Sequence, residues 1–242
     1  MLLPFFHRLE EVKLLIEKRY LRNFKMLSLE EQERLKKTKV LVAGCGGLGG
    51  YVVEMLARLG IGWITVVDDE VFEETNLNRQ LFSTVNTLGK KKALVAKQRI
   101  LEVNPDVVVN PILTRIEEKN AKEVVAGHEV VVDALDSIPH RILLESVCEE
   151  LKIPLIHGAV AGWYGQVTTV LPGDRTLSMV YKNHKEGIEK ELGTPSFSPA
   201  VVAGIQVCEV LKVILNKGEP LSKKLLYIDL LSQEYQKIEL HF

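Results

Sequence analysis

Only three cysteines occur among the 242 residues, Cys45, Cys148 and Cys208, and none forms a C-x-x-C pair. An odd number at wide spacing argues against a disulfide framework and a four-thiolate zinc site, and it suits a reducing cytoplasm. Charge of one sign is also lacking, since 31 basic residues face 32 acidic ones for a net charge of -1. No global field draws such a chain to nucleic acid or anionic lipid, so any anion site must be local. Long apolar runs are missing too. No stretch approaches the roughly 18 uninterrupted apolar residues of a membrane span. Met1 to Phe6 is shorter than a signal-peptide core and lacks a basic start.

What is present is 46% apolar and 26% charged, with mean hydropathy +0.07, which excludes disorder. The length suits one domain over residues 1–242, opened by a helical segment, 1–38. Residues 7–20 read as a first helix, and the capping box Ser28-x-x-Glu31 opens a second that runs to about Lys37. From Lys39 onward, short β-branched runs alternate with amphipathic stretches, which predicts strands at 40–43, 64–67, 107–112, 130–133 and 155–157. Strands apolar on both faces signal a buried, doubly wound parallel α/β sheet. Beyond Gly158, segments 166–171, 177–180, 225–230 and 234–240 predict antiparallel strands added to it. Residues 183–199 read as a functional loop with room for a helical turn, a lid or substrate rail. Residues 199–215 read as a core helix carrying one polar stripe, Gln206, Glu209 and Lys212.

The first strand runs into Gly44-Cys45-Gly46-Gly47-Leu48-Gly49 and then a helix over 51–59. That is G-x-G-x-x-G in its strand-to-helix context. Gly44 permits the tight turn, Gly46 lets a phosphate approach the backbone, and Gly49 lets helix and strand pack closely. The helix start offers unpaired N–H groups to the anion. A nucleotide is implied. Asp68, ending the second strand, is placed to accept hydrogen bonds from ribose hydroxyls. Cys45 is expected to be a small side chain turned away from the phosphates, and Cys148 and Cys208 small core residues.

After Asp68 the chain stays polar through Phe82, where a simple dinucleotide domain would continue into its next helix. Gly89-Lys90-Lys91-Lys92 then opens a helix over 90–103. Arg79 and one of these lysines can meet a phosphate chain longer than the glycine loop alone neutralises, leaving the other two lysines solvated. At the end of the fourth strand stand Asp133 and Asp136, where α/β folds place ligands. Magnesium takes one or two carboxylates with phosphate oxygens and water, whereas hydride transfer has no use for such an acid. Asp136, the outer one, is expected to ligate Mg²⁺ or else to N-cap the helix beginning near Pro139. Asp133 is left to pair with the backbone.

These residues, with Asn76-Leu77-Asn78-Arg79-Gln80, Gly89-x-x-Lys92, Asn104-Pro105 and Asp133-Ala134-Leu135-Asp136, resemble the ThiF/MoeB/HesA family from about Arg19 to Leu240. The resemblance implies a Rossmann-like, mostly parallel sheet with antiparallel additions, and a homodimer. It also implies ATP and Mg²⁺ as cofactors. The activity it implies is adenylation of the C-terminal glycine carboxylate of a small ubiquitin-like protein, a sulfur carrier of the kind used in molybdopterin or thiamine synthesis. By position, Asp68 would bind ribose, with Gly44, Gly46, Gly47, Gly49 and Asn76 completing the nucleotide contacts. Arg79 and Lys92 would hold phosphates and Asp136 the metal. Arg22, within Arg19-Tyr20-Leu21-Arg22-Asn23, would be the arginine that the partner subunit inserts over the triphosphate, or else a surface ion-pair residue.

Two departures stand out. The paired C-x-x-C ligands of most members are missing from 176–183 and from the tail after Tyr235, and no cysteine lies between Glu149 and Val207. Neither zinc nor thioester or persulfide chemistry is therefore expected. Two other readings share the glycine loop: a relative adenylating another carboxylate, such as one on a tRNA nucleoside, and an NAD(P)-dependent dehydrogenase. The second gives Arg79, Lys92 and Asp136 nothing to do. Lack of a basic stripe favours a protein substrate over nucleic acid.

Overall fold

Valine and isoleucine, stiff at χ1 and suited to a pleated surface, fill the first four strands, β1 (Lys39–Ala43), β2 (Trp63–Val67), β3 (Val108–Ile112) and β4 (Val130–Asp133). A computed structural model describes residues 17–182, 184 and 186–241. The helix expected over 7–20 lies outside these residues except at its end, where Lys18–Tyr20 form a 3₁₀ turn. Four more strands, β5 (Leu155–Ala161), β6 (Tyr164–Val170), β7 (Lys224–Asp229) and β8 (Glu234–Glu239), complete one sheet in the order β3-β2-β1-β4-β5-β6-β7-β8. Strands β3 to β5 across that order pair in parallel, and β5 to β8 pair antiparallel. Pro111 sits in β3, the edge strand, where its missing N–H costs no ladder bond. The mixed, mostly parallel sheet is the one expected.

Helices α1 (Leu29–Lys37), α2 (Gly47–Leu59), α3 (Lys92–Val103), α4 (Ala121–Val125), α5 (Ile138–Leu151), α6 (Thr176–Val180), α7 (Glu189–Leu192) and α8 (Phe197–Leu215) cover the sheet. The capping box of α1 forms as read, with Glu31 N–H on Ser28 Oγ at 3.2 Å and Ser28 N–H on Glu31 Oε2 at 2.7 Å. Side chains alternate along β1: Val40 and Val42 enter one core with α2, α3 and α8, while Leu41 and Ala43 enter the other with α4 and α5. Each fully buried valine or leucine contributes about 1.5–3 kcal/mol.

Three expectations are corrected. Residues 177–180 are helical, not a strand: β6 already pairs with β7, and Glu145 accepts the N–H groups of Leu177 and Ser178 at 2.6 and 2.9 Å, capping the start of α6. Along α8 the polar stripe turns inward. Gln206 and Glu209 are buried against the sheet, where Glu209 takes Thr169 Oγ1 at 2.6 Å and Leu221 N–H at 2.7 Å. Cys208, expected in the core, is exposed on the opposite side. With mean hydropathy 1.7, α8 is long and apolar enough to cross a membrane by composition, but these buried polar contacts bind it to the sheet.

Candidate active site

The chain order in the sheet reverses between β1 and β4, and the switch point opens a crevice at the carboxyl ends of the strands. There β1 turns through Gly44 into α2. Gly44 has φ +95°, and a Cβ on it would lie 2.6 Å from the carbonyl oxygen of Ala134. A Cβ on Gly49 would lie 1.9 Å from the carbonyl oxygen of Gly44. Neither position admits a side chain. Gly46 differs, since its Cβ would meet only Gln80, at 3.6 Å. The opening it leaves belongs to a cavity of about 710 Å³ lined by Gly44, Gly46, Gly47, Asp68, Asn76, Arg79, Gln80, Lys92 and Asp136. The residues predicted from the sequence, Arg22 and Gly49 apart, thus line one cleft.

Asp68 accepts the N–H of Cys45 on one oxygen and that of Glu70 on the other, both at 2.8 Å. Burial nonetheless holds its carboxyl above the usual range, against the pull of these hydrogen bonds. Asn76 is buried and fixes the turn before it, accepting Glu73 N–H on Oδ1 at 3.0 Å. Arg79 donates Nη1 to Thr75 O at 3.0 Å and to Asn78 Oδ1 at 2.9 Å, which holds the guanidinium at the cleft wall. Of the three lysines, Lys90 and Lys91 are exposed and Lys92 is buried, its ammonium 2.6 Å from Glu70 Oε2. One of the three does turn inward, but not by helical geometry as expected: α3 begins at Lys92, not at Lys90, with Lys91 as its extended N-cap.

Asp136 is exposed in the turn between β4 and α5. The N-cap position of α5 belongs to Ser137, so Asp136 is left facing the cleft. Asp133 is fully buried and does pair with backbone, accepting Leu135 N–H at 2.9 Å. It also lies 2.7 Å from His157 Nδ1, its register partner on β5. Cys45 lies outside the cleft lining. Burial, with the Asp68 carboxylate, drives its thiol upward and leaves it a neutral packing group.

Arg22 lies elsewhere. It is exposed, outside the cleft lining, and makes no hydrogen bond or ion pair with the described residues. Its neighbourhood is fixed by Asn104 Nδ2 on Tyr20 Oη at 2.7 Å and by Lys217 Nζ on Met26 O at 3.1 Å. Lys217 follows the C-terminus of α8, whereas Pro199, at the opposite end of that helix, lines the cleft. A helix of 19 residues spans ~28 Å, so Arg22 sits at the end of the molecule remote from its own cleft.

Among the described residues no three His, Cys, Asp or Glu side chains converge on a point. A dedicated cage is thus not formed by them. A nucleotide-borne Mg²⁺ needs only one carboxylate beside phosphate oxygens and water, and Asp136 fits that requirement. Sequence reasoning missed Arg115, His140 and Arg141, which also line the cleft. Arg115 follows β3 and pairs with Asp69 at 3.6 Å. The rule that sets ligands at the carboxyl ends of strands could have found it.

The ThiF family model matches residues 18–242. Among curated proteins, the SAMP-activating enzyme E1 of Haloferax volcanii is 38% identical over 213 residues, covering 86% of this chain and 79% of that protein. The sulfur carrier protein adenylyltransferase of Thermus thermophilus is 36% identical over 219 residues, covering 86% and 81%. The molybdopterin-synthase adenylyltransferase of Salmonella typhimurium is 31% identical over 217 residues, covering 87% and 86%. Among solved structures, that of Escherichia coli MccB with ATP superposes with TM-score 0.78 at 25% identity, covering 93% of this chain and 71% of that one.

Proposed function

Because the chain belongs to the ThiF family, we propose that it is an ATP-dependent adenylyltransferase acting on the C-terminal glycine carboxylate of a small ubiquitin-like sulfur-carrier protein, with release of pyrophosphate. One observation carries this reading. A glycine loop, two cations and one free-facing carboxylate, Arg79, Lys92 and Asp136, share a single cleft with Asp68. A nicotinamide cofactor uses the loop and Asp68 only.

In the reaction a carrier carboxylate oxygen attacks the α-phosphorus of ATP, the bond to the β-phosphate oxygen breaks, and pyrophosphate leaves. Asp68 holds the ribose. The N–H groups at the start of α2 meet phosphate where Gly46 leaves room. Negative charge grows on the leaving group, and Arg79 and Lys92 are already held where they stabilise it; such preorganised donors contribute a factor on the order of 10² to 10³ each. Asp136 would hold Mg²⁺, which supplies further charge neutralisation on the phosphates when bound. The carboxylate is itself the nucleophile, so no thiol is required, in keeping with the buried Cys45.

The enzyme we propose is a homodimer in which Arg22 serves the partner's cleft. Support comes from its exposure, its lack of a hydrogen-bond or ion-pair partner among the described residues and its place at the far end of the molecule. The test is pyrophosphate exchange into ATP with carriers ending in Gly-Gly, run on wild type, Asp136→Ala and Arg22→Ala. Carrier-dependent exchange lost in both variants is expected; exchange without a carrier, or surviving both changes, overturns the reading. Mixing the two variants should restore about a quarter of wild-type activity, since half of randomly re-paired dimers regain one intact cleft. No recovery in verified mixed dimers would sink the shared site.

A further inference from the structure

The structure assigns Arg141 as a positioning residue: with Asp133 it clamps the backbone of Leu135, fixing the turn that carries Asp136, and Tyr181 ties this clamp to the segment that leads to the cleft wall. The inference rests on the adenylation reading for its consequence, not for its geometry. Leu135 donates its N–H to Asp133 Oδ1 at 2.9 Å, and its carbonyl accepts Arg141 Nε at 3.0 Å and Nη2 at 2.7 Å. One residue is thus gripped on both its backbone polar groups by buried ionic side chains, immediately before Asp136. Charge-assisted, two-point hydrogen bonding of this kind is the strong variety and sets direction as well as distance.

The clamp is itself fixed from behind. Asp133 presents its carbonyl to Gln206 Nε2 at 2.8 Å and its second carboxylate oxygen to His157 Nδ1 at 2.7 Å. With Nδ1–H donated, Nε2 of His157 is an acceptor, and the Tyr181 hydroxyl meets it at 3.0 Å. The same hydroxyl oxygen accepts Arg141 Nη1 at 2.9 Å and Gln166 Nε2 at 2.6 Å. One donor and two acceptor sites on the tyrosine are therefore all used. Burial lowers the pKa of His157, which favours the neutral form this pattern needs.

Tyr181 follows α6, whose start Glu145 caps from α5, one turn beyond Arg141. Past Tyr181 the chain runs through α7 to Gly193 and Thr194, which line the cleft. There Asn78 Nδ2 donates to Thr194 O at 3.1 Å, and Gly162 N–H to Gly193 O at 2.7 Å. A single helix, α5, thereby holds both α6, which leads into the segment that reaches Gly193 and Thr194, and the turn that carries Asp136.

Tyr181→Phe keeps the ring and removes the hydroxyl; Arg141→Lys keeps the charge and removes the two-point grip. The experiment pairs amide hydrogen exchange over residues 134–137 with the Mg²⁺ dependence of pyrophosphate exchange. Both variants should exchange the Leu135 amide about 10-fold faster while remaining folded, as expected when the clamp around it loosens by about the worth of one buried hydrogen bond. Half-saturating Mg²⁺ should rise by about 3- to 10-fold, with KM for ATP at saturating Mg²⁺ changed by less than about 2-fold. Unchanged protection of Leu135 in folded Tyr181→Phe, or faster exchange with an unaltered Mg²⁺ dependence, overturns the assignment. A wild type without Mg²⁺-dependent pyrophosphate exchange would instead sink the adenylation reading, and amide exchange would still decide whether the clamp exists.

Discussion

Lys92 and Glu70 form an ion pair at 2.6 Å in which the lysine side chain is 5% exposed and the glutamate 52%. The lysine is fixed by its place in the first turn of α3, and the glutamate is free to swing into solvent. Glu70 thus pairs with the cation that the proposed function assigns to a phosphate.

Replacing Glu70 should therefore separate binding from stability. Glu70→Gln removes a like charge beside the phosphates, and ~1 kcal/mol of relieved repulsion would lower KM for ATP by about 5-fold. The nucleotide-free protein should melt lower, because a buried ammonium loses its partner, and ATP should raise the melting point more than in wild type. Lys92→Ala should lose a factor of about 10² to 10³ in kcat/KM. Steady-state pyrophosphate exchange and thermal unfolding with and without ATP read both effects. A KM that stays constant or rises in Glu70→Gln would refute the competition.

Thiol reactivity should fall on one residue. Cys45 and Cys148 are buried, and burial pushes the Cys148 thiol up to about 12 and raises that of Cys45. A disulfide reagent at pH 8 should label native protein at Cys208 alone, all three cysteines in denaturant, and none in native Cys208→Ser. That variant should keep full adenylation activity, because the proposed displacement uses no protein thiol. Rapid native labelling of Cys45 would contradict the packing described.

Much of this was legible because it rests on local rules. The glycine loop needs Gly44 and Gly49 for contacts with Ala134 and with the loop's own backbone, and the strands β1 to β4 declare themselves by buried valines. Lys92 is singled out by the spacing Gly89-x-x-Lys92 and not by helical geometry, since α3 begins only there. What was hidden depends on contacts distant in sequence. Residues 177–180 read as a strand, and the Glu145 carboxylate that caps them as a helix lies 32 positions earlier than Leu177. The polar stripe of α8 has a periodicity that fits either face; Thr169 and Leu221 decide that it points inward. The His157–Asp133 pair became visible only when β4 and β5 came into register.

Acid should destabilise the fold before its carboxylates titrate. Burial lowers the pKa of His157 below its ordinary value, with the Asp133 hydrogen bond opposing, and burial does the same to His128. The unfolded chain then binds more protons than the folded one as pH falls below about 6.5, and stability drops by up to ~1.4 kcal/mol per pH unit for each histidine. The contribution is complete above that pH and is lost below it. Urea midpoints at pH 7 and pH 5.5 should differ in wild type and differ less in His128→Gln, which removes one of the two groups. Equal midpoints in wild type would show that folding holds neither histidine neutral.

Gly49 and Gly46 are two residues of one motif with different physical duties. At Gly49 an added methyl would overlap the carbonyl of Gly44 at 1.9 Å, and backbone on both sides cannot yield without parting α2 from β1. Overpacking against backbone costs at least about 1–3 kcal/mol, so Gly49→Ala should lower the melting temperature markedly whether or not ATP is present. At Gly46 the same methyl finds Gln80 at 3.6 Å, an ordinary contact, and projects toward the cleft. Stability should change by only about 1 kcal/mol, the scale of glycine against alanine at an N-cap. KM for ATP should nonetheless rise by about 10-fold or more, because the methyl occupies the approach to the N–H groups at the start of α2. Chemical denaturation and ATP titration of the two variants check the contrast. If Gly46→Ala binds ATP like wild type, the phosphates do not lie over this turn, and the roles given to Arg79 and Lys92 fall with it.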